Sequence, residues 1–169
     1  VTAELGRDPS AVAALVEVCD AAALPVLEAS PVYANFPAAH PCHAGYVFGT
    51  QVYPGLADAD AILVIDCDVP WLPSRTSIAE AAQVIQLGVE PFYTAYPTRS
   101  FRCDLPLVAD PLVALPLLAA ALRRRIPASD VKARLTQRRL SHAELRTQWS
   151  SASEAERTLP SIGFQWASR

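Results

Sequence analysis

The sequence contains no methionine and is poor in lysine, with one lysine against thirteen arginines. It begins at Val1, so no initiator residue is present, and we expect a piece of a longer polypeptide. The arginine excess is typical of coding bias and excludes no fold.

Long apolar runs and blocks of like charge are also missing. No stretch approaches the roughly 20 apolar residues of a membrane-spanning helix, and no signal peptide is recognisable. The formal net charge is −3, and the longest run of like charge is Arg123-Arg124-Arg125. We therefore expect neither a membrane nor a nucleic acid as a partner.

The cysteines form no CxxC pair, since Cys19, Cys42, Cys67 and Cys103 are widely spaced. This spacing predicts reduced, mostly buried thiols and a cytoplasmic location rather than a disulfide framework. Neither a GxGxxG turn nor a Walker A loop occurs, so the standard nucleotide-binding fingerprints are absent from the sequence.

The 169 residues, 51% of them apolar and 18% charged, suffice for one globular domain with a buried core. Asp8 and Pro9 are suited to the N-cap and first turn of a helix that ends at Leu24-Pro25. One face of that helix is apolar: Val12, Leu15, Val16, Cys19 and Ala23.

Several segments read as strands. Residues 26–30, 59–67, 82–91 and 105–110 contain short apolar runs, and Val1-Thr2 resemble the end of a strand cut by the start of the chain. Residues 59–67 do not alternate with polar residues, which predicts burial on both faces of a parallel sheet. We expect loops over 31–57 with one short helix at 52–58, and a helix at 111–125. The pattern predicts an α/β fold with a mainly parallel sheet.

The composition becomes charged and polar after residue 126. We therefore predict a domain over 1–126 and a linker helix with a tail over 127–169. One helical face carries a thin stripe, with Leu140 pointing the other way: Val131, Leu135, Arg138, His142, Leu145 and Trp149.

Asp66 and Asp68 flank Cys67 directly after the most apolar strand. Residues i and i+2 of a strand point to the same side, so we expect both carboxylates to face one crevice, at the edge where open α/β sheets bind ligands. A structural turn is the favoured interpretation, a ligand-facing edge is second, and a metal or catalytic site is third because no further ligand is spaced nearby.

Three other clusters admit a functional and a structural interpretation. His40, Cys42 and His43 lack the second ligand pair of a zinc site, so a loop packed on the sheet edge is favoured. The segment 90–102 could stack an adenine and bind a phosphate, but packing of Phe92, Tyr96 and Phe101 on the sheet is favoured. His142 is interpreted as a packed side chain. No catalytic apparatus can be assembled from these residues.

The ordered set of segments resembles the central domain of thiamine-diphosphate-dependent enzymes of the acetolactate synthase-like family. The resemblance rests on "LPVLEASPVYANFPAAHPCHAGY", "LADADAILVIDCDVPW", "AQVIQLGVEP" and "LPLVAD", over residues 1 to about 125. It implies a three-layer fold, with helices flanking a parallel, Rossmann-like sheet of six strands. It also implies a parent enzyme that decarboxylates or ligates 2-keto acids.

In such an enzyme thiamine diphosphate and Mg²⁺ are held by other domains, so this chain alone is not expected to catalyse or to bind either. FAD, where the family has it, occupies a crevice that corresponds here to Ala29, Ser30, Pro31, Asp66, Asp68, Gly88, Val89, Glu90 and Asp110. The family's Arg-Phe-Asp-Asp loop is replaced by "DVPW", which disfavours FAD. By the same resemblance the loop with Asn35 and Phe36 faces the catalytic centre.

Three functions are therefore carried forward. The first is a structural domain that works with the remaining N- and C-terminal domains of a homo-oligomeric enzyme. The second is a module that binds FAD, NAD or ADP. The third is an interaction domain that docks a partner through its C-terminal helix.

Overall fold

The computed structural model describes residues 1–48, 51–99 and 101–157 of the 169. After a 3₁₀ turn at Leu5–Arg7, the described elements are, in chain order, α1 Pro9–Ala22, β1 Val26–Ala29, β2 His43–Val47, α2 Pro54–Ala57, β3 Ala61–Ile65, β4 Gln83–Gly88, β5 Leu105–Val108, α3 Pro111–Arg125 and α4 Ala128–Glu156. The predicted α/β class is confirmed. None of the helices in the described part of the chain is both long and apolar enough to cross a membrane.

All strand pairs are parallel, and they form two small sheets. β1 pairs with β2, and β4 lies between β3 and β5. Thr2 lies between the two sheets and makes isolated parallel bridges to Glu28 and to Ile65. The expected six-stranded sheet is therefore wrong for the described residues, because a single bridging residue occupies the position between β1 and β3.

Backbone hydrogen bonds hold residues 1–3 in that position. The Thr2 amide donates to the Leu27 carbonyl (3.0 Å), and the Ile65 amide donates to the Val1 carbonyl (2.9 Å). The Ala29 amide donates to the Thr2 carbonyl (2.9 Å). These bonds align the carboxyl ends of β1 and β3 at one edge of the molecule.

Two hydrophobic clusters lie on opposite faces of the strands. The first packs α1 and α3 against the strands through residues such as Leu15, Leu115 and Leu87. The second contains Ile62, Val64 and Trp71. β3 therefore buries side chains on both faces, as its unbroken apolar run predicts. The second face has only the short α2 and irregular segments, so the expected flanking by helices holds for one face alone.

The boundaries of α1 follow from its capping residues. The Asp8 side chain accepts a hydrogen bond from the Ser10 amide (2.8 Å), and Pro9 is the first helical residue. Ala23 adopts a left-handed conformation (φ 52°) that ends the helix before Pro25. The predicted cap and the predicted end of the helix are both confirmed.

The stripe on α4 is also confirmed, since each of its members is half-buried and Leu140 is exposed. Leu145 lies beside Gly45, and the Trp149 ring stacks on Tyr46 with centroids 5.4 Å apart. α4 therefore lies across β2 of its own chain. Its low apolar content suits a helix with one narrow buried face.

β2 was not predicted, because residues 31–57 read as loops. The strand contains Gly45 at φ +116°, where the register with β1 shifts. A glycine tolerates this backbone conformation. Burial does alternate along β2, but its inward positions are His43, Gly45 and Val47, and only the last is a typical strand-forming apolar residue. The predicted short helix at 52–58 is confirmed as α2.

Candidate functional site

The carboxyl edge of the strands is the place where the sequence predicts a ligand crevice. Ser30 follows β1 and Asp66 follows β3, and both adopt left-handed backbone conformations, with φ of 43° and 40°. Non-glycine residues in this region are uncommon, and they cluster at functional sites. The chain therefore turns sharply at the ends of β1 and β3, on either side of the position that residues 1–3 occupy.

Asp66 lies between the turn after Thr2 and the end of β4. Its backbone amide donates to the Leu87 carbonyl (3.2 Å), and its carboxylate lies 3.9 Å from the Arg7 guanidinium. A Cβ atom added at Gly88 would lie 2.9 Å from Asp66 Oδ1. The Asp66 side chain thus occupies the space in which a side chain at position 88 would lie.

The electrostatic environment of Asp66 is unfavourable for a carboxylate. Burial raises the pKa of Asp66 above its ordinary value, the Arg7 charge lowers it, and the negative charges of Glu4 and Asp110 raise it further. Because these acids lie close together, the edge carries an excess of negative charge, which opposes the binding of a diphosphate.

Asp68 has different surroundings from Asp66. Its Oδ2 accepts a hydrogen bond from the Tyr96 hydroxyl (3.1 Å), and its Oδ1 accepts one from the Val69 amide (2.8 Å). β3 ends at Ile65, and the turn at Asp66 breaks the strand geometry. The two aspartates therefore do not lie on one strand, and the expectation that their carboxylates point the same way no longer holds. Cys67, between them, is buried in the core.

Arg99 connects the segment after β4 to β3 and β4. Its Nε donates to the Asp68 carbonyl (2.9 Å), and a terminal nitrogen donates to Gln86 Oε1 (3.0 Å). The guanidinium lies over the Tyr93 ring, 4.6 Å from the centroid, and over the Phe101 ring at 5.2 Å. Two of its five N–H donors and its flat faces are thus engaged within the chain, which favours a structural role over phosphate binding.

The expected packing of the aromatic segment is correct only in part. Phe101 packs against Trp71 with ring centroids 5.8 Å apart. Phe92 and Tyr96 are about half exposed, at 48% and 49%. Their exposure contradicts packing onto the sheet, and Tyr96 instead stacks on Tyr93 at the surface.

The remaining residues expected to hold a cofactor are spread along this edge. Ala29 is buried at the end of β1, and the Ser30 amide donates to the Val47 carbonyl (2.8 Å).

Glu90 accepts a hydrogen bond from the Thr94 amide (3.0 Å), and Asp110 caps α3 by accepting one from the Leu112 amide (2.9 Å). Pro31 is half-buried and Val89 exposed. Apart from Asp66, Gly88 and Asp110, the structure does not bring these side chains into one cluster.

Asn35 and Phe36, expected to face a catalytic centre, are buried. Asn35 donates from its amide nitrogens to Glu28 Oε2, each at 3.0 Å, and its side-chain oxygen accepts from the Gly6 amide (2.8 Å). Neither side chain reaches the surface of the chain as described. The residues on either side of them in the loop, Ala34 and Pro37, are exposed.

Glu28 and His43 form a buried polar centre that sequence reasoning missed. His43 Nε2 lies 2.9 Å from Glu28 Oε1, and both side chains are fully buried. Phe36, Tyr46 and Trp149 surround the imidazole. The only sequence signal is a glutamate inside an apolar strand, because its partner lies fifteen positions away on a strand that the pattern does not reveal.

The histidine and cysteine cluster is structural. His40 Nε2 lies 3.3 Å from Asp20 Oδ1, and His40 Nδ1 accepts a hydrogen bond from the Cys42 amide (3.1 Å). His43 points instead to Glu28. Within the described ranges no group of three or more histidine, cysteine and acidic side chains is arranged to hold a metal.

A groove of about 200 Å³ lies between α4 and the amino ends of β1 and β2. Pro25, Cys42 and His43 line one side, and Arg138, Leu145 and Gln148 line the other. His142, also in the groove, lies 2.9 Å from the Ala38 carbonyl, as a packed side chain would. Because it is formed at the amino ends of the strands, this groove is separate from the predicted crevice.

The cysteines are free thiols, with Cys19, Cys42 and Cys67 buried and Cys103 half-buried, as the sequence predicts. Burial raises the pKa of the Cys67 thiol to about 12 and that of Cys42 to about 11. Such thiols are poor nucleophiles at neutral pH. They give no support to cysteine catalysis.

Comparison with known proteins does not extend this description. No protein-family model matches the sequence, and no curated protein is significantly similar to it. Any function must therefore be argued from the residues themselves.

Proposed function

We propose that the chain is the central, structural domain of a thiamine-diphosphate-dependent enzyme that acts on 2-keto acids, of the acetolactate synthase-like type. The observation that carries the proposal is the lateral order of the parallel segments: β2, β1, residues 1–3, β3, β4, β5. When residues 1–3 are counted as the first position, this is the 3-2-1-4-5-6 order of a doubly wound sheet. The resemblance implies a parallel, Rossmann-like sheet with six strands, and six parallel positions in this order support it.

The proposed role is to position other domains and not to react. The titratable groups of the described residues support this role: Glu28 and His43 are sealed in the interior, and Asp66 lies in a turn. When bound by other domains, thiamine diphosphate with Mg²⁺ supplies the carbanion chemistry of the parent enzyme. The residues present here do not fit that cofactor, so no step is assigned to them.

FAD does not fit the carboxyl edge either. The Asp66 carboxylate lies beside Gly88, and Glu4 and Asp110 add negative charge where a diphosphate would have to approach. Arg99, the nearest cation to Asp68, already donates to groups of its own chain. The same acidic edge disfavours NAD and ADP, and therefore the function of a nucleotide-binding module.

The docking of a partner through α4 is also disfavoured. The only apolar stripe of α4 already lies against β2 and α1, through contacts such as that of Trp149 with Tyr46. A partner would have to displace the helix from its own domain. The outward face of α4 is polar and offers little apolar surface for binding.

The decisive experiment is to read the complete coding frame and compare its mass with that of the purified protein. The proposal expects an upstream domain with an activating glutamate and a downstream domain with a Gly-Asp-Gly…Asn motif. A frame that adds neither domain would overturn it. Turnover of pyruvate by the 169-residue chain with thiamine diphosphate and Mg²⁺ would also contradict it.

Ligand binding separates the proposal from the alternative of a nucleotide-binding module. Thermal unfolding is measured with FAD, NAD and ADP, each at micromolar concentrations. A structural domain gives no change in Tm with any of them. A rise in Tm with one nucleotide, lost on charge reversal at Arg7, would favour the module.

A further inference from the structure

The solvent-facing side of α3 carries an apolar stripe with opposite charges at its two ends. Leu115 faces the core, whereas Val113 and Leu117 lie on the opposite side of the helix and are 62% and 68% exposed. The stripe also contains the N-cap and two later residues of α3, and its members are Asp110, Val113, Leu117, Ala120 and Arg124. Their alternating spacing of three and four residues is that of a helix–helix seam.

This stripe is complementary to itself. Asp110 and Arg124 lie at equal distances along the sequence before and after Leu117. If two α3 helices pack antiparallel about a two-fold axis at Leu117, Asp110 of each copy lies beside Arg124 of the other. A two-fold interface requires such a surface, because the same patch must serve as both partners.

The groups at the ends of the stripe are available for pairing. Arg124 has no ion-pair partner in the part of the chain that the structure describes, whereas its neighbour Arg123 lies 3.4 Å from Glu17. Asp110 is exposed and makes its hydrogen bond to the Leu112 amide through one oxygen. Ala120 is small, so it permits the close approach of two helices.

Further apolar surface adjoins the stripe. β5 precedes α3 directly and is an edge strand, and all four of its residues are exposed, including Leu105, Leu107 and Val108. Exposed apolar patches of this kind mark interaction surfaces, and an unpaired hydrophobic edge strand invites association. β5 pairs with β4 on one side and α3 packs on α1, and the outward side of both elements is exposed in the described part of the chain.

We propose that α3 forms the centre of a homodimer interface in which two copies of this chain pack antiparallel about Leu117. The charge pattern selects a second copy as the occupant, because the acid and the base that pair belong to one stripe. The proposal is independent of the enzyme family, since it rests on α3 and β5 alone.

Cysteine cross-linking tests the position of the axis. In a Cys103→Ser background of the full chain, Leu117→Cys places two thiols at the two-fold axis, and oxidised glutathione converts them to an intermolecular disulfide. Leu140→Cys is the matched control, since Leu140 is 58% exposed on the outward side of α4. A dimer band for Leu117→Cys alone supports the proposal. Equal cross-linking of both variants, or of neither, overturns it.

Sedimentation equilibrium tests the energetics of the interface. The wild type is expected to dimerise. Leu117→Glu should raise the dimer Kd by at least about tenfold because it buries a charge at the axis, and Arg124→Glu should do so because it repels Asp110 of the other copy. Leu140→Glu and Arg125→Glu are the controls and should leave Kd unchanged. Circular dichroism establishes that each variant is folded. A monomeric wild type, or a dimer that Leu117→Glu leaves intact, shows that something other than a second copy covers the stripe and overturns the proposal.

Discussion

The Nε2 atom of His43 lies 2.9 Å from Oε1 of Glu28, and neither side chain is accessible to solvent. Glu28 belongs to β1, His43 to β2, and Asn35 in the intervening loop donates twice to the same carboxylate. The Nδ1 atom of His43 is buried without a hydrogen-bond partner in the described structure. Donation from Nε2 to the Glu28 carboxyl group suits this arrangement, because it leaves Nδ1 as the one unsatisfied atom of the ring.

Removal of one partner of this pair is expected to be costly. Glu28→Ala should lower the free energy of unfolding by about 1–3 kcal/mol, because the buried side chains of His43 and Asn35 lose hydrogen bonds to the carboxyl group. The double variant with His43→Ala should lose less than the sum of the single losses. Urea denaturation of the four proteins measures this coupling. Strict additivity would contradict a direct interaction.

Asp66 is expected to make stability depend on pH. Burial raises its pKa in the folded chain, so the native state holds a proton where the unfolded chain has lost it. The free energy of unfolding therefore falls as pH rises from about 3.9, the ordinary aspartate pKa, through the raised native pKa.

Asp66→Asn removes this titration and tolerates the left-handed backbone. At pH values above the raised native pKa of Asp66, the Tm of Asp66→Asn should exceed that of the wild type. At pH values below about 3.9 the two Tm values should match. Asp68→Asn is the control, because it makes the same chemical change two residues away, in a side chain that accepts hydrogen bonds from Tyr96 and the Val69 amide. A Tm difference for Asp66→Asn that does not vary with pH would argue against the prediction.

The thiols should differ in reactivity according to burial. A disulfide reagent added to the folded protein at neutral pH is expected to label Cys103 first, since the other three cysteines are buried. Burial raises the pKa of Cys67 to about 12, so little thiolate is available there. Cys103→Ser should abolish the fast phase, and denaturation should expose the remaining thiols. Rapid labelling of the folded Cys103→Ser protein is the contrary result.

Substitution by alanine should change the free energy of unfolding in opposite directions at two glycines. At Gly45, φ is +116°, and an added Cβ would also approach Leu145, at 3.6 Å. Gly45→Ala should therefore lower the free energy of unfolding by about 1–3 kcal/mol. Gly55 lies in α2 with nothing within 4 Å of an added Cβ, and Gly55→Ala should raise it by about 0.4–1 kcal/mol. Chemical denaturation compares the two, and effects of the same sign would refute the distinction.

The attachment of α4 should depend on Trp149. Its ring lies 5.6 Å from that of His43 and 5.4 Å from that of Tyr46. Trp149→Ala is expected to lower the free energy of unfolding by about 1.5–3 kcal/mol. Leu140→Ala, on the outward side, should change it by less than about 0.5 kcal/mol. Hydrogen exchange along α4 shows whether the helix detaches, and unchanged protection in Trp149→Ala would count against this role.

Local signals predict the helices well and the site poorly. Asp8 and Pro9 define the start of α1, and a spacing of three to four residues defines the buried stripe of α4, because both are properties of a single helix. β2 was missed because its irregularity at Gly45 and its buried His43 make sense only beside β1 and Glu28. Asp66 and Asp68 were expected to share an orientation, which a left-handed turn at Asp66 removes. Such features depend on contacts between distant segments, and a linear pattern does not contain them.

The bridge at Thr2 has a mechanical consequence. A force that separates β2 from β5 acts across a seam closed by the few backbone hydrogen bonds of residues 1–3, whereas strands within each sheet share full ladders. The seam should therefore yield first, and each sheet should leave as an intact unit. The apolar layer beneath α1 spans the seam from Val26 to Ile65, and the second cluster spans it from Ala29 to Val64, so these two layers resist that rupture.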